Sequence, residues 1–182
     1  DDCLGPSNDT GVVGATEIWS APASENRFTV AGSWGFSGSG FHGRGRQATG
    51  SATILFSPPQ TIDTFRVWYR KGANGGTVTW SVDSGASSGS FSCAGATALA
   101  YVDVPCGSTG VHTLLITAPA STYAFINGFG AMTGTTGGVK VSRQGYNGGK
   151  TTEAVAGGAA VDGSMACFAH TAPDLTIIAL GT

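Results

Sequence analysis

The chain has 182 residues, of which 41% are hydrophobic and 11% are charged, and its formal net charge is −2 at pH 7. A chain of this length suits one large domain, and the hydrophobic fraction is sufficient for a core. The small negative charge excludes the basic surface needed for nucleic acid or an anionic membrane, and no apolar run is long enough to span a bilayer.

Residues 15–136 are predicted to form a β-sandwich, preceded by a leading segment, residues 1–14. Short runs rich in Val, Thr, Phe, Trp and Tyr alternate with Gly, Ser, Asn and Pro, and no sustained helical period occurs. The predicted strands lie in RFTVAGSW, SATILFS, TFRVWYRKG, TVTWSVD, LAYVDV, VHTLLIT and TYAFING. Many short strands at this spacing indicate an antiparallel sandwich of the jelly-roll type.

The run TVTWSVD shows which of its side chains face the core. Val78, Trp80 and Val82 share one face, and the polar residues between them share the other. The segment before this run contains Asn-Gly-Gly at residues 74–76. We expect a hairpin there, because Asn and Gly accept a positive φ at low cost.

The run TFRVWYRKG also alternates. It places Phe65, Val67 and Tyr69 on one face, and Trp68 between two arginines on the other. If the first face belongs to the core, Trp68 lies outside it. Three interpretations stay open for Trp68: a platform for a sugar, a contact between subunits, or an indole covered by the stems of the arginines.

The stretch AGSWGFSGSGFHGRGRQATG is the most unusual part of the predicted sandwich. Its aromatic and arginine residues are separated by glycines: Trp34, Phe36, Phe41, Arg44 and Arg46. Aromatic faces stack on sugar rings, and arginine donates hydrogen bonds to hydroxyls and carboxylates. These five residues are therefore candidates for glycan binding, together with Trp68. The alternative is a glycine-rich loop whose aromatic side chains cap the core.

The four cysteines, at positions 3, 93, 106 and 167, do not form a metal-binding pattern. No Cys-x-x-Cys pair occurs, so we expect no zinc site and no cofactor. Cys93 and Cys106 flank a predicted hairpin, and their spacing leaves both a disulfide and two free thiols open. The histidines at positions 42, 112 and 170 are far apart, and we expect them to be structural rather than catalytic.

Residues 137–182 have a different sequence pattern, which predicts a partial α/β segment. GGVKVSRQGYNGGKTTEAVAGGAA indicates a strand from Val139 to Ser142, a glycine-rich turn and a helix that begins near Thr151 or Thr152. DLTIIALG indicates a second strand, which makes a βαβ unit with a parallel sheet. One such unit cannot bury both faces of its sheet, so we expect the remainder of the sheet to come from other residues.

These last residues resemble the SGNH (GDSL-type) hydrolase superfamily, which has a flavodoxin-like α/β fold and hydrolyses acyl esters, often on carbohydrates. QGYNGGKTTEAV resembles the family's second sequence block, Gly-x-Ser-Gly-x-Thr-Thr, with Gly149 in the place of the oxyanion-hole glycine. PDLTIIALGT resembles the first half of the third block, an apolar strand that continues into Gly-x-Asn-Asp. The resemblance implies that the backbone N–H of Gly149 stabilises an oxyanion. The alternative is that Gly148 and Gly149 form a strand-to-helix turn that needs a positive φ.

The resemblance implies that the chain is a middle fragment of a serine esterase. The sequence contains neither Gly-Asp-Ser, the nucleophile block, nor Asp-x-x-His, so we expect no esterase activity from this chain alone. In some bacterial and phage-encoded members a β-sandwich is inserted between the nucleophile block and the second block, where residues 15–136 stand.

The resulting hypothesis is a fragment of an SGNH-type esterase that acts on acylated carbohydrate, with a sandwich that binds glycan. The alternative is a non-catalytic module of a phage tail or cell-surface protein that binds a glycan or receptor. Both imply a secreted, cell-surface or virion location. Both have a polysaccharide and the rest of the parent chain as partners, and both allow a homo-oligomer.

Overall fold

The computed structural model describes residues 10–14, 27–37 and 45–133, with only the backbone at 10–14 and Phe36. These residues form eleven strands: β1 Thr10–Gly14, β2 Phe28–Ala31, β3 Gly35–Phe36, β4 Arg46–Ala48, β5 Thr53–Phe56, β6 Ile62–Lys71, β7 Thr77–Val82, β8 Ser87–Ser92, β9 Ala98–Gly110, β10 Leu114–Thr117 and β11 Ala124–Met132. The prediction of a mainly β fold is confirmed for them. The predicted α/β segment, residues 137–182, lies outside them.

The strands form two antiparallel sheets, sheet A and sheet B. Sheet A has the order β3-β4-β11-β6-β9, and β1 also pairs with β11; sheet B has the order β2-β5-β10-β7-β8. Strand β1 lies within the predicted leading segment and was not predicted. From β4 to β11 the chain changes sheet at every connection except β7 to β8. Neighbours within a sheet therefore come from distant parts of the sequence.

The core lies between the two sheets and is centred on Phe56 of sheet B. Its ring stacks on Phe28 at 4.7 Å and meets Phe129 at 5.5 Å and Phe65 at 5.8 Å, measured between ring centroids. Phe56, Phe65 and Phe129 are fully buried. Burial of a side chain of this size stabilises the fold by about 2 kcal/mol, so these contacts fix the two sheets against each other.

The faces predicted for β6 and β7 are confirmed. Phe65, Val67 and Tyr69 are buried in the core, as is Val78. Trp80 is partly buried and packs against the same core. Period-two alternation therefore identified the inner face of both strands.

The predicted hairpin at residues 74–76 is wrong, because β6 belongs to sheet A and β7 to sheet B. Neither glycine of this turn has a positive φ. A Cβ at Gly75 would collide with the carbonyl oxygen of Cys93, and a Cβ at Gly76 would collide with the hydroxyl of Thr122. The two glycines are needed for close packing at a crossing between sheets, and not for a left-handed backbone.

Cys93 and Cys106 are both free and buried, so the disulfide between them is not formed. The main-chain oxygen of Cys93 accepts a hydrogen bond from Gly72, just beyond the C-terminal end of β6. Cys106 follows Pro105, which pairs with Thr64 near the other end of β6. Eight residues of extended strand span about 25 Å, which is far beyond the reach of a disulfide.

Candidate functional site

The structure describes three of the six predicted glycan-binding side chains. Trp34 is 8% exposed and belongs to the core, and Arg46 on β4 is also 8% exposed. Trp68 is 7% exposed and lies outside the core cluster. The burial of Trp34 agrees with the alternative in which aromatic residues of this stretch cap the core.

The side chains of the remaining predicted site residues are not among those described. Phe36 lies on β3, where only the backbone is described. Phe41, Arg44 and Gly149 lie outside the described residues. Their parts in glycan binding and in an oxyanion hole stay predictions.

The outer face of sheet A brings together side chains from three adjacent strands. On β6 the inward set leaves Arg66, Trp68 and Arg70 facing outward. In the strand pairing Tyr101 of β9 lies opposite Trp68, and Asp103 lies opposite Arg66. Because residues opposite each other in an antiparallel pair point to the same side, these side chains share one surface.

Arg66 and Asp103 form a two-point ion pair on this surface. The guanidinium donates from Nε to Oδ1 at 2.6 Å and from Nη2 to Oδ2 at 2.7 Å. The hydrogen bonds to Asp103 raise the pKa of Arg66, so its guanidinium keeps its charge. Both side chains remain partly exposed, and such pairs contribute about 0.5 kcal/mol to stability. The pair therefore fixes two side chains in position more than it stabilises the fold.

The same guanidinium stacks on Tyr101. Its Cζ atom lies 4.1 Å from the centroid of the Tyr101 ring and 5.8 Å from that of Trp68, both within the range of a cation–π contact. Tyr101 is 46% exposed. The arrangement presents an aromatic ring, a charged donor and a charged acceptor side by side.

A second aromatic contact continues the surface towards β11. The Cζ atom of Arg70 lies 4.2 Å from the centroid of Phe125, and the Phe125 ring stacks with Tyr123 at 5.8 Å. Tyr123 is exposed. The outer face of sheet A thus carries an exposed tyrosine ring at each end, with arginines between them.

Gly130 of β11 makes room for Trp68. A Cβ at Gly130 would lie 2.9 Å from Cζ3 and 3.0 Å from Cη2 of the indole, which is closer than real contacts allow. The indole therefore lies across Gly130. Its Nε1 atom is buried and has no hydrogen-bond partner.

An aspartate–histidine pair lies elsewhere, between the β7–β8 turn and the β9–β10 loop. Asp83 Oδ2 lies 2.6 Å from Nδ1 of His112, whose Nε2 lies 3.0 Å from the carbonyl oxygen of Ser108. Asp83 Oδ1 accepts hydrogen bonds from the backbone N–H and hydroxyl of Thr113. The hydrogen bond with His112 is the main cause of a lowered pKa of Asp83. Because Nε2 faces a main-chain carbonyl and Nδ1 faces Asp83, the imidazole links the β7–β8 turn to the β9–β10 loop.

Among the described residues, no group of three His, Cys, Asp or Glu side chains is placed to hold a metal ion. The same part of the chain contains no helix long and apolar enough to cross a membrane.

Sequence reasoning missed Tyr101 and Asp103. In LAYVDV, Tyr101 and Asp103 alternate with Val102 and Val104 and therefore lie on the other face of the strand. Their outward direction could be predicted from this alternation. Their position beside Arg66 depends on the pairing of β9 with β6, which the sequence alone does not reveal.

No protein-family model matches the chain, and no curated protein sequence matches it. Similar solved structures include the catalytic domain of a GH87 α-1,3-glucanase in complex with nigerose, with 10% identity and a TM-score of 0.49 over 72% of this chain and 29% of that one. A family two carbohydrate esterase from Cellvibrio japonicus gives 8% identity and a TM-score of 0.46 over 68% of this chain and 33% of that one.

An exo-β-1,3-galactanase from Phanerochaete chrysosporium in complex with β-1,3-galactotriose gives 19% identity and a TM-score of 0.42, over 59% of this chain and 27% of that one. These three structures are carbohydrate-active enzymes. The chain spans a third or less of the length of each, with 33% the largest share.

Proposed function

We propose that the sandwich binds glycan through the outer face of sheet A. The observation that carries the proposal is the exposed Tyr101 ring, with the Arg66–Asp103 ion pair beside it. An aromatic ring offers an apolar face to the C–H groups of a sugar. Arg66 donates two of its N–H groups to Asp103. Its other N–H groups can donate to the hydroxyls of a sugar, and the remaining lone pairs of the Asp103 carboxylate can accept from them.

The proposed binding surface differs from the one predicted in the stretch 31–50. Trp34 and Arg46 are buried, whereas Tyr101 and Asp103 are exposed. Trp68 contributes to the proposed surface mainly as a support, because its indole is nearly covered.

A glycan array followed by calorimetry on the best ligand tests this function. We expect Tyr101→Ala to weaken binding about fivefold, because it removes the apolar face of the site. Val111→Ala is the matched control, since Val111 is also exposed but lies in the loop after β9. Circular dichroism checks that both variants stay folded. Unchanged affinity in both Tyr101→Ala and Asp103→Asn would contradict glycan binding at this site. A wild-type protein that binds no glycan on the array would also contradict it.

A second candidate function concerns the parent protein. We propose that it is a secreted or virion-associated esterase of the SGNH type that acts on acylated carbohydrate. The support is the order of the two motifs, QGYNGGKTTEAV and PDLTIIALGT, after a sandwich. Gly149 then offers one N–H to the oxyanion, and the sandwich holds the polymer. A glycan- or receptor-binding module without catalysis is the alternative.

The parent reading frame separates these two possibilities. The esterase requires Gly-Asp-Ser before Asp1, Asn-Asp after Thr182 and Asp-x-x-His further on. If they are present, replacing that serine should abolish deacetylation of an acetylated polysaccharide and leave binding unchanged. Absence of these motifs would leave the binding module as the function.

A further inference from the structure

The outer face of sheet B is covered by hydroxyl side chains. Alternation along its strands turns residues such as Ile54, Val78 and Ile116 inward and leaves the residues between them outward. The outward residues are Thr29, Ala31, Thr53, Leu55, Thr77, Thr79, Ser81, Ser88, Ser90, Ser92, Leu115 and Thr117. Apart from two leucines and one alanine, all of them are serine or threonine.

The strand register sets these hydroxyls in a row. Thr117 pairs with Thr53 on one side and with Thr79 on the other, and Thr79 pairs with Ser90. Adjacent members of the row are therefore about 4.8 Å apart, the spacing between strands.

The neighbouring row combines apolar and hydroxyl groups. Leu115 pairs with Leu55 and with Ser81, and Ser81 pairs with Ser88. This row lies about 6.8 Å from the first along the strands. The face thus has two adjacent leucines beside an extended array of hydroxyls.

Among the described residues, none of these outward strand positions of sheet B is charged, in contrast to sheet A, whose outer face carries Arg66, Arg70 and Asp103; Arg27 and Asp83 lie just beyond the ends of β2 and β7. Without a cation among these strand positions, the centre of the face offers nothing that favours a carboxylate, sulfate or phosphate. Its five strands carry the twelve outward residues named above, which cover roughly 400 Å². A stable interface between two proteins buries about 800 Å² on each partner, so a second copy of the chain is not a good fit.

We propose that the outer face of sheet B is a second binding surface, which takes an uncharged polysaccharide chain lying across the strands. Serine and threonine hydroxyls both donate and accept hydrogen bonds, as do those of a neutral sugar. Leu55 and Leu115 provide an apolar strip for the C–H faces of the rings. The proposal does not need the site on sheet A, because the two faces lie on opposite sides of the core.

Each hydrogen bond on such a face contributes little, because water competes for both groups. Binding therefore depends on many contacts along one polymer and is favoured by an insoluble material that offers many chains. Ionic strength should have little effect, since none of the outward strand positions is charged.

The experiment is a depletion assay of the purified chain on insoluble neutral glucans, with pectin as the acidic comparison, at low and high salt. The variant is Thr79→Val with Thr117→Val, which removes two central hydroxyls and keeps the β-branched shape. We expect about a tenfold loss of binding to a neutral glucan, and little dependence on salt. Thr109→Val is the matched control, because Thr109 is exposed on β9 of sheet A.

The outcomes separate this proposal from the function proposed for sheet A. Loss of binding in the double valine variant, with at least part of it kept in Tyr101→Ala, supports the second surface. Loss in Tyr101→Ala and none in the valine variant overturns it and leaves the sheet A site intact. Binding to pectin alone, or a dimer by light scattering that the valine variant loses, also overturns it.

Discussion

At the scale of single residues, Asp83 connects two loops that are distant in sequence. It has a positive φ of 46°, as does Ser84 at 59°, in the turn between β7 and β8. Such a backbone is unfavourable for residues other than glycine, and aspartate tolerates it better than most. The hydrogen bonds of its carboxylate to His112 and Thr113 hold the turn against the β9–β10 loop.

We expect Asp83→Asn to lower the free energy of unfolding by about 1 kcal/mol at pH 7, because asparagine keeps the turn but loses the charge. The pKa of Asp83 is lowered in the folded state, mainly by His112. Its contribution is therefore complete above the unfolded pKa, near 4, and is lost as the pH falls through the folded pKa.

Urea unfolding of both proteins between pH 7 and pH 3 checks this prediction. The difference in free energy should stay constant to about pH 5 and shrink below about pH 4. A difference that keeps its size down to pH 3 would show that the charge of Asp83 does not stabilise the fold.

At the scale of elements, a bulge in β11 separates the part of this strand that pairs with β4 from the part that pairs with β1. Both of these partners lie on the same edge of β11. Ile126 pairs with Tyr69 and Gly128 pairs with Trp68, so Asn127 is the extra residue. On the other edge β4 pairs with β11 as far as Ile126, and β1 pairs with it from Gly128 onward. Asn127 is 1% exposed, and neither its Oδ1 nor its Nδ2 has a hydrogen-bond partner.

Replacing this buried amide should stabilise the protein. A buried polar group without a partner costs free energy, and an apolar group of similar shape removes that cost. We expect Asn127→Leu to raise the free energy of unfolding by about 1 kcal/mol, and Asn127→Asp to lower it by about 3 kcal/mol through a buried charge. Thermal and urea unfolding measure both, and a loss of stability in the leucine variant would contradict the prediction.

The elements found from the sequence were those with apolar alternation. All seven predicted runs contain a strand of the structure, because Val, Ile, Phe, Trp and Tyr mark a half-buried surface. Strand β8 was missed, because its sequence SSGSFS has weak strand formers and depends on pairing with β7. Gly89 within it lies under Trp80, and a Cβ there would be 2.5 Å from Cζ2 of the indole.

The candidate site was only partly predictable, for a related reason. Trp68 and its flanking arginines were recognised as an outward set, but their partners Tyr101 and Asp103 come from a strand that is distant in sequence. The prediction of a hairpin at residues 74–76 failed for the same reason, because a turn sequence does not determine which sheet the next strand joins. Local chemistry identifies faces, and long-range pairing decides which faces meet.

At the scale of the whole molecule, the sandwich has one core built from both sheets, and the connections between them cross it repeatedly. Cys93 and Cys106 belong to this core near opposite ends of β6. Burial raises the pKa of the Cys93 thiol to about 11 and that of Cys106 to about 12. Since the thiolate is the reactive form, both thiols are protected by their pKa as well as by their position.

The two thiols can therefore report whether the sandwich unfolds as a unit. We expect neither to react with a pulse of iodoacetamide at pH 8 in native buffer, and both to become labelled over one urea transition, because the same core buries them. Mass spectrometry of the separate peptides measures each cysteine, and labelling in saturating urea supplies the reference for complete reaction. If Cys106 became labelled at a lower urea concentration than Cys93, the end of the sandwich at β9 would open before the rest. The two sheets would then not share a single cooperative core.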